Sequence, residues 1–331
     1  MSKIYEALRQ AELDRKTGVT TADSAGDSRN TAQAVLDEVS EYIPGEATTG
    51  RALSTVTPVA KTSNEAQADL RIADDELGRS SEIDFSKIPQ VTWTPSLGQL
   101  PALEERGAAV EQFRSLRSRM QEFRDLNTLK IILVSSGLPQ EGKSFITANL
   151  AISFARHKAG RVLLIDGDMR RATLHKLIGC PQGPGLTEYL SGSASITQVM
   201  QRPKPDEPGH PLPPGLASLT FIPAGNEHDK AADLSGNRRF EVLLAAAAPH
   251  FDWIVVDSSP VNLVSDGVNL ARSCDAVLLV ARGGVTKYEI AQRAVTELKA
   301  SKILGFVLNA VKNPPATGGY YGYDGYDKIE E

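Results

Sequence analysis

One stretch constrains this chain more than any other. It runs Ile131-Ile132-Leu133-Val134-Ser135-Ser136, then Gly137-Leu138-Pro139-Gln140-Glu141-Gly142-Lys143-Ser144, then Phe145-Ile146-Thr147-Ala148-Asn149-Leu150-Ala151. The first block opens with four apolar, mostly β-branched residues and reads as a buried strand; the last reads as a helix. The turn between them fits G-x-x-x-x-G-K-[ST], the phosphate-binding loop. Glycines let such a loop wrap closely around phosphate oxygens and aim successive N–H groups at them, and the following helix adds the positive end of its dipole. The residues expected to contact a nucleotide are Gly137, Leu138, Pro139, Gln140, Glu141, Gly142, Lys143, Ser144 and Phe145. In this reading Lys143 reaches the β- and γ-phosphates and the Ser144 hydroxyl holds Mg²⁺.

The rest of the chain repeats the strand–helix alternation. Val162–Ile165 runs into Asp166-Gly167-Asp168-Met169-Arg170-Arg171, Leu219–Ala224 reads as a strand and Phe240–Ala247 as a helix. Trp253-Ile254-Val255-Val256 runs into Asp257, and Ala276–Ala281, a helix from Tyr288 to Ala300 and Leu304–Val311 complete the order. That alternation predicts an α/β fold, a P-loop NTPase whose mainly parallel sheet is covered by helices on both faces. Ligands of such sheets sit at the carboxyl ends of the strands, where the loop, Asp166, Asp168 and Asp257 all fall. Metal-assisted phosphoryl transfer needs such a carboxylate cluster. Asp257 is the expected Mg²⁺ partner. Asp166 and Asp168, two apart, share one side if the strand geometry persists, one on a metal-bound water and the other accepting a proton.

Other regions bound the reading. Residues 1–16 predict a short amphipathic helix, with Ile4, Leu8 and Ala11 on one side. Residues 17–100 are rich in Ala, Ser, Thr, Gly, Asp and Glu without apolar period, which predicts a disordered, flexible linker. Leu103–Asp125 has helical spacing with Val110, Phe113, Leu116 and Met120 on one face, and Glu111, Arg114 and Arg117 at intervals of three along another. The ordered domain is expected over 101–313. Four of the chain's eight tyrosines, Tyr320, Tyr321, Tyr323 and Tyr326, crowd into a glycine-rich, acidic tail over 314–331, a composition no packed core uses. A net charge of −5 and a pI near 5.7 argue against a nucleic-acid partner. No apolar run reaches the length of a membrane span, no secretion signal opens the chain, and the two cysteines lack metal-ligand spacing, so the cytoplasm is the expected compartment.

These residues carry a resemblance to the bacterial tyrosine kinases that govern capsule and exopolysaccharide production. It covers roughly Leu103 to the C-terminus. Gly137–Ser144 matches the family's Walker A, Val162–Arg170 its Walker A′ with Asp166, Asp168 and Arg170 in place, and Ile254–Asp257 its Walker B. Glu111, Arg114 and Arg117 meet its E-x-x-R-x-x-R oligomerisation motif, and the four tail tyrosines its tyrosine-rich tail. The resemblance implies an ATP- and Mg²⁺-dependent protein-tyrosine autokinase with Lys143, Asp166, Asp168, Arg170 and Asp257 catalytic. Asp166 would be the base for the tyrosine hydroxyl, and Ser144, Asp166, Asp168 and Asp257 the metal set. It also implies a ring of copies whose tails enter neighbouring sites. The implied form is a separate cytoplasmic one, held at the inner face of the plasma membrane through a membrane polysaccharide co-polymerase (chain-length determinant) whose cytoplasmic segment activates it. A protein-tyrosine phosphatase is the implied antagonist. Two rivals remain. A MinD/ParA-type ATPase shares the fold and the deviant aspartate motifs, but carries a lysine directly after the first loop glycine, where this chain has Leu138. A nucleotide-dependent scaffold would use the tail only to bind.

Overall fold

A computed structural model describes residues 83–126, 128–158, 160–205, 212–226 and 228–312. The expected N-terminal helix over 1–16, most of the expected linker and the tyrosine-rich tail lie outside the described residues.

Six strands form one sheet: β1 (Ile131–Ser136), β2 (Val162–Asp166), β3 (Leu219–Ile222), β4 (Trp253–Asp257), β5 (Ala276–Arg282) and β6 (Ile303–Asn309). Their spatial order is β3-β2-β4-β1-β5-β6, and every pairing is parallel. Parallel pairing requires a crossover between consecutive strands, and the crossovers put helices on both faces. Two cores result, and the period of two along each strand sorts residues between them. Ile131, Leu133, Leu163, Ile165, Ile254, Val256, Val277 and Leu279 join one. Ile132, Val134, Leu164, Val255, Leu278 and Val280 join the other. The runs are continuously apolar because both sides of the strands are buried.

The helices that matter for the site are α1 (Ala108–Leu126), α2 (Lys143–Arg156), α3 (Leu174–Ile178), α4 (Arg239–Ala247), α5 (Asp266–Ala271) and α6 (Tyr288–Glu297). Phe240, Leu243 and Leu270 of α4 and α5 join the first core, while α2 supplies Ile146, Leu150 and Phe154 to the second. Helix α1 buries Val110, Phe113 and Met120, the face expected from spacing, and Phe113 meets Phe145 of α2 at 5.8 Å between ring centroids. Phe154 stacks on Trp253 at 4.2 Å, and the Arg124 guanidinium lies 5.1 Å from the Trp253 ring centre.

The linker expected over 17–100 does not extend to residue 100. Residues 83–100 pack on the domain: Ile83, Ile88, Trp93 and Leu100 are buried. Gln90–Val91 pairs in parallel with Arg202–Pro203. The Asn149 side chain of α2 accepts the Ala102 N–H and donates to the Gln99 carbonyl. Spacing gave no sign of this because the apolar residues divide between the two cores, Ile83 and Ile88 joining the first and Trp93 and Leu100 the second, and no long regular element makes them recur.

Removing the ring at Phe154 leaves a void between α2 and β4 that the rigid parallel sheet cannot close. Phe154→Ala should therefore lower stability by roughly 3–5 kcal/mol, read as a lower urea midpoint at unchanged denaturant slope.

Candidate active site

In order β3-β2-β4-β1-β5-β6 the chain crosses from one side of β1 to the other between β4 and β5, so the carboxyl ends of β1, β2 and β4 border a topological switch point. The phosphate-binding loop leaves β1 there and enters α2 through Gly142, whose φ of 91° favours glycine. A Cβ on Gly142 would stand 2.0 Å from Asn309 Nδ2. That amide donates to the Glu141 carbonyl at 3.0 Å, so the end of β6 braces the loop from outside. From inside, the buried Glu141 carboxylate accepts the Leu138 N–H at 2.9 Å and the Thr286 hydroxyl. Burial raises the affinity of Glu141 for a proton, opposed by these same hydrogen bonds.

Asp166 and Asp257 are register partners on adjacent parallel strands, and both are fully buried. The chain turns directly after Asp166. Gly167 donates its N–H to the Asp257 carbonyl at 3.0 Å, and a Cβ there would lie 2.5 Å from that oxygen. This turn separates the two carboxylates of the second motif. Asp168 faces the loop: its Oδ2 is 2.6 Å from Lys143 Nζ, and its Oδ1 accepts the Ser259 hydroxyl at 3.0 Å. Asp166 instead accepts backbone N–H groups from Asp168 at 3.2 Å and Leu174 at 3.1 Å, tying the turn and α3 to the strand end. The shared orientation expected for Asp166 and Asp168 is lost because strand geometry stops at Asp166.

Lys143 and Asp257 complete the cluster. Asp257 Oδ2 lies 3.5 Å from Lys143 Nζ and accepts the Ser144 hydroxyl, and the Thr147 hydroxyl is 3.2 Å from Oδ1. Burial acts to lower the Lys143 pKa, but Asp257 and then Asp168 outweigh it, and the ammonium is held more firmly than in water. Burial, with Asp257 and Asp168, raises Asp166 well above the ordinary carboxylate range, Lys143 opposing. Burial likewise raises Asp257, with Lys143 opposing and Asp168 adding to the rise.

These groups border a cleft of about 330 Å³. Every residue from Leu138 to Phe145 except Glu141 lines it, as do Asp168 and Arg170; Asp166 and Asp257 stand behind the wall. Arg170 is held by Asp266 at the start of α5, with Nε–Oδ2 at 2.6 Å. Sequence reasoning did not single out Ser259, Thr286, Asn309 or Asp266. Ser259 had a weak signal, two residues beyond Asp257 and so in phase with it; the others come from distant elements and had none.

The three motif residues of α1 do not share one environment. Arg114 pairs with Glu111 and donates to the Glu105 carbonyl at 3.0 Å, and both side chains are over a third exposed. Arg117 turns inward and donates to the Ser153 carbonyl of α2 at 3.1 Å, and burial lowers its pKa.

Among the described residues no three His, Cys, Asp or Glu side chains converge as a metal cage. Mg²⁺ does not require one, since it is commonly held by one or two carboxylates together with phosphate and water. Of the expected metal set, Ser144, Asp168 and Asp257 gather around Lys143 as an all-oxygen donor set that fits that cation, while Asp166 is turned to backbone N–H groups behind the wall. Three carboxyl groups stand around one ammonium in the cluster, so it suits an added cation.

No protein-family model matches the chain. It is 32% identical over 218 residues to the tyrosine-protein kinase CpsD of Streptococcus agalactiae, covering 64% of this chain and 88% of that protein. It is also 32% identical over 210 residues to the tyrosine-protein kinase ptk of Acinetobacter johnsonii, covering 63% of this chain but spanning only 27% of that longer protein. Among solved structures, the kinase domain of the Escherichia coli tyrosine kinase ETK superposes with a TM-score of 0.60 at 29% identity, covering 71% of this chain and 87% of that one.

Three carboxyl groups buried close to one ammonium cost stability that an amide would recover. Asp257→Asn should raise the melting temperature of the nucleotide-free protein by roughly 2–6 °C, about 1–2 kcal/mol, while reducing the further rise produced by ATP with Mg²⁺. A carboxyl raised in the folded state carries no penalty below about pH 4, where folded and unfolded forms are both protonated, and a growing one as pH rises. The gain of the variant should follow that course in melts between pH 4 and 8.

Proposed function

Because this chain belongs to the bacterial tyrosine-kinase family, we propose that it transfers the γ-phosphate of ATP to the tail tyrosines Tyr320, Tyr321, Tyr323 and Tyr326 of neighbouring copies of itself. The observation that carries the reading is the Lys143 ammonium held between Asp168 and Asp257 at the mouth of a phosphate-binding loop. Bound Mg²⁺ would offset the charge of the β- and γ-phosphates, with Ser144, Asp168 and Asp257 as its holders. Lys143 stabilises negative charge on the transferred group, and the loop N–H groups and the start of α2 orient it. Arg170, fixed by Asp266, brings a second cation to the cleft wall.

In the transfer, a bond forms between the tyrosine Oη and the γ-phosphorus while the bond to the β–γ bridging oxygen breaks, and ADP leaves. A phenol with pKa near 10 needs its proton removed, and the carboxylate cluster supplies the acceptor. The family resemblance gives that role to Asp166, which stands behind the cleft wall beside the cleft-lining Asp168. Added phosphate brings close to two negative charges per tyrosine, and mutual repulsion of modified tails opens the assembly.

The assembly is a ring in which Glu111 and Arg114, the exposed part of the α1 motif, meet the next copy. Its activator is the cytoplasmic segment of a membrane polysaccharide co-polymerase, which holds the kinase at the inner face of the plasma membrane. A tyrosine phosphatase resets it, and the cycle governs exopolysaccharide or capsule synthesis. Among the described residues no helix is long and apolar enough to cross a membrane.

Incubated with ATP and Mg²⁺, beside an activator segment, the wild-type chain should carry phosphate on the tryptic fragment between Lys312 and Lys328, which holds all four tail tyrosines. Lys143→Met should abolish it. Phosphate undiminished in that variant would overturn the assignment, and ATP hydrolysis with no phosphate on the fragment would favour a partitioning-type ATPase. Arg117→Ala also breaks the contact with α2, so assembly is better tested with Arg114→Glu, which spares that bond. This variant should move the protein to a smaller species on a sizing column.

A further inference from the structure

Beside the nucleotide cleft lies a second one, of about 370 Å³, lined by Arg170, Arg171, Ala172, Thr173, His175, Lys176 and Gln182. The two share Arg170, Arg171 and Thr173, so they are neighbours across one wall. Neither Asp nor Glu lines the second cleft. Asp266 offsets the charge of Arg170, and the exposed Lys176 of α3 adds an ammonium to the same wall as the Arg171 guanidinium. Its position is fixed to the chemistry. The Arg171 N–H donates at 3.1 Å to Asp168, the carboxylate that pairs with Lys143, and Lys176 lies on α3, whose first N–H is held by Asp166.

The expected substrate has complementary charge. Segment 320–331 reads Tyr-Tyr-Gly-Tyr-Asp-Gly-Tyr-Asp-Lys-Ile-Glu-Glu, four carboxylates against one lysine. The acids are not scattered: Asp324 directly follows Tyr323 and Asp327 directly follows Tyr326, whereas Tyr320 is followed by a tyrosine and Tyr321 by a glycine. Adjacent Cα atoms are about 3.8 Å apart, so a tyrosine entering the nucleotide cleft carries its next residue to the shared wall.

We propose that this basic cleft is an acceptor subsite that binds the carboxylate directly following the acceptor tyrosine, making Tyr323 and Tyr326 the preferred acceptors. The occupant is the tail of this same protein, and the inference rests on the kinase reading above. Arg171 and Lys176 are specificity-determining residues in this scheme; neither takes part in the chemistry. Paired charges at a half-enclosed rim contribute modestly to affinity and more to selection, and salt weakens them.

The test uses the full chain and two fluorescently labelled peptides, residues 316–331 as they stand and with Asp324→Asn and Asp327→Asn. Anisotropy should show the acidic peptide binding about three- to tenfold more tightly at low salt. That preference should shrink at 0.5 M NaCl and vanish in Lys176→Glu. Equal binding of the two peptides to wild type, or a preference untouched by Lys176→Glu, overturns the inference, and this readout needs no catalysis. Phosphate mapping over time on the chain's own tail is the second arm. Early label should fall on Tyr323 and Tyr326, and spread evenly over the four tyrosines in the double Asn variant of the chain. Even labelling in wild type also overturns the subsite. Absence of phosphate from every tyrosine, with the acidic peptide still preferred, overturns the kinase reading instead.

Discussion

A single buried ammonium holds the active end of this sheet together. Lys143 stands between Asp168 and Asp257, with Asp166 one register step away, in a region where uncompensated charge is expensive. The cluster is tolerable because every member has partners. Asp166 takes two backbone N–H groups, Asp168 a serine hydroxyl and Asp257 the hydroxyls of the helix that carries the lysine. Three carboxyl groups around one ammonium make the site suited to the added cation proposed above.

The surrounding fold follows from where those carboxylates must stand. Parallel pairing puts the ends of β1, β2 and β4 side by side, and both faces of the sheet must then be covered. The segment over 99–103 and α1 cover one face of α2, so the helix that presents Lys143 and Ser144 is fixed from behind. Arg117 belongs to this internal bracing, while Arg114 and Glu111 remain at the surface.

The loop is braced twice by residues far away in sequence. Glu141 draws in the Leu138 N–H and the Thr286 hydroxyl, and Asn309 holds the Glu141 carbonyl. These contacts join the loop to the ends of β5 and β6. The turn after β2 likewise joins the carboxylate cluster to the basic cleft through Asp168 and Arg171. The cleft at the loop and the surface proposed to select the acceptor are therefore parts of one edge of the sheet.

Local patterns in the sequence were enough to read the fold class and to place the loop and its carboxylates at strand ends. Strand-sized apolar runs, the glycine spacing of 137–142 and carboxylates at the run ends are local patterns, and local patterns suffice where covalent spacing sets geometry. Only the tertiary structure decided the roles within the motifs. A turn at Gly167 directs Asp168 to the lysine and leaves Asp166 to the backbone, a division that identical residue types cannot reveal. Ile83, Ile88 and Trp93 join the two cores without period, and Thr286, Asn309 and Asp266 reach the site from other strands and helices. Such contacts depend on distances between elements, which the chain acquires only when both cores close around the sheet.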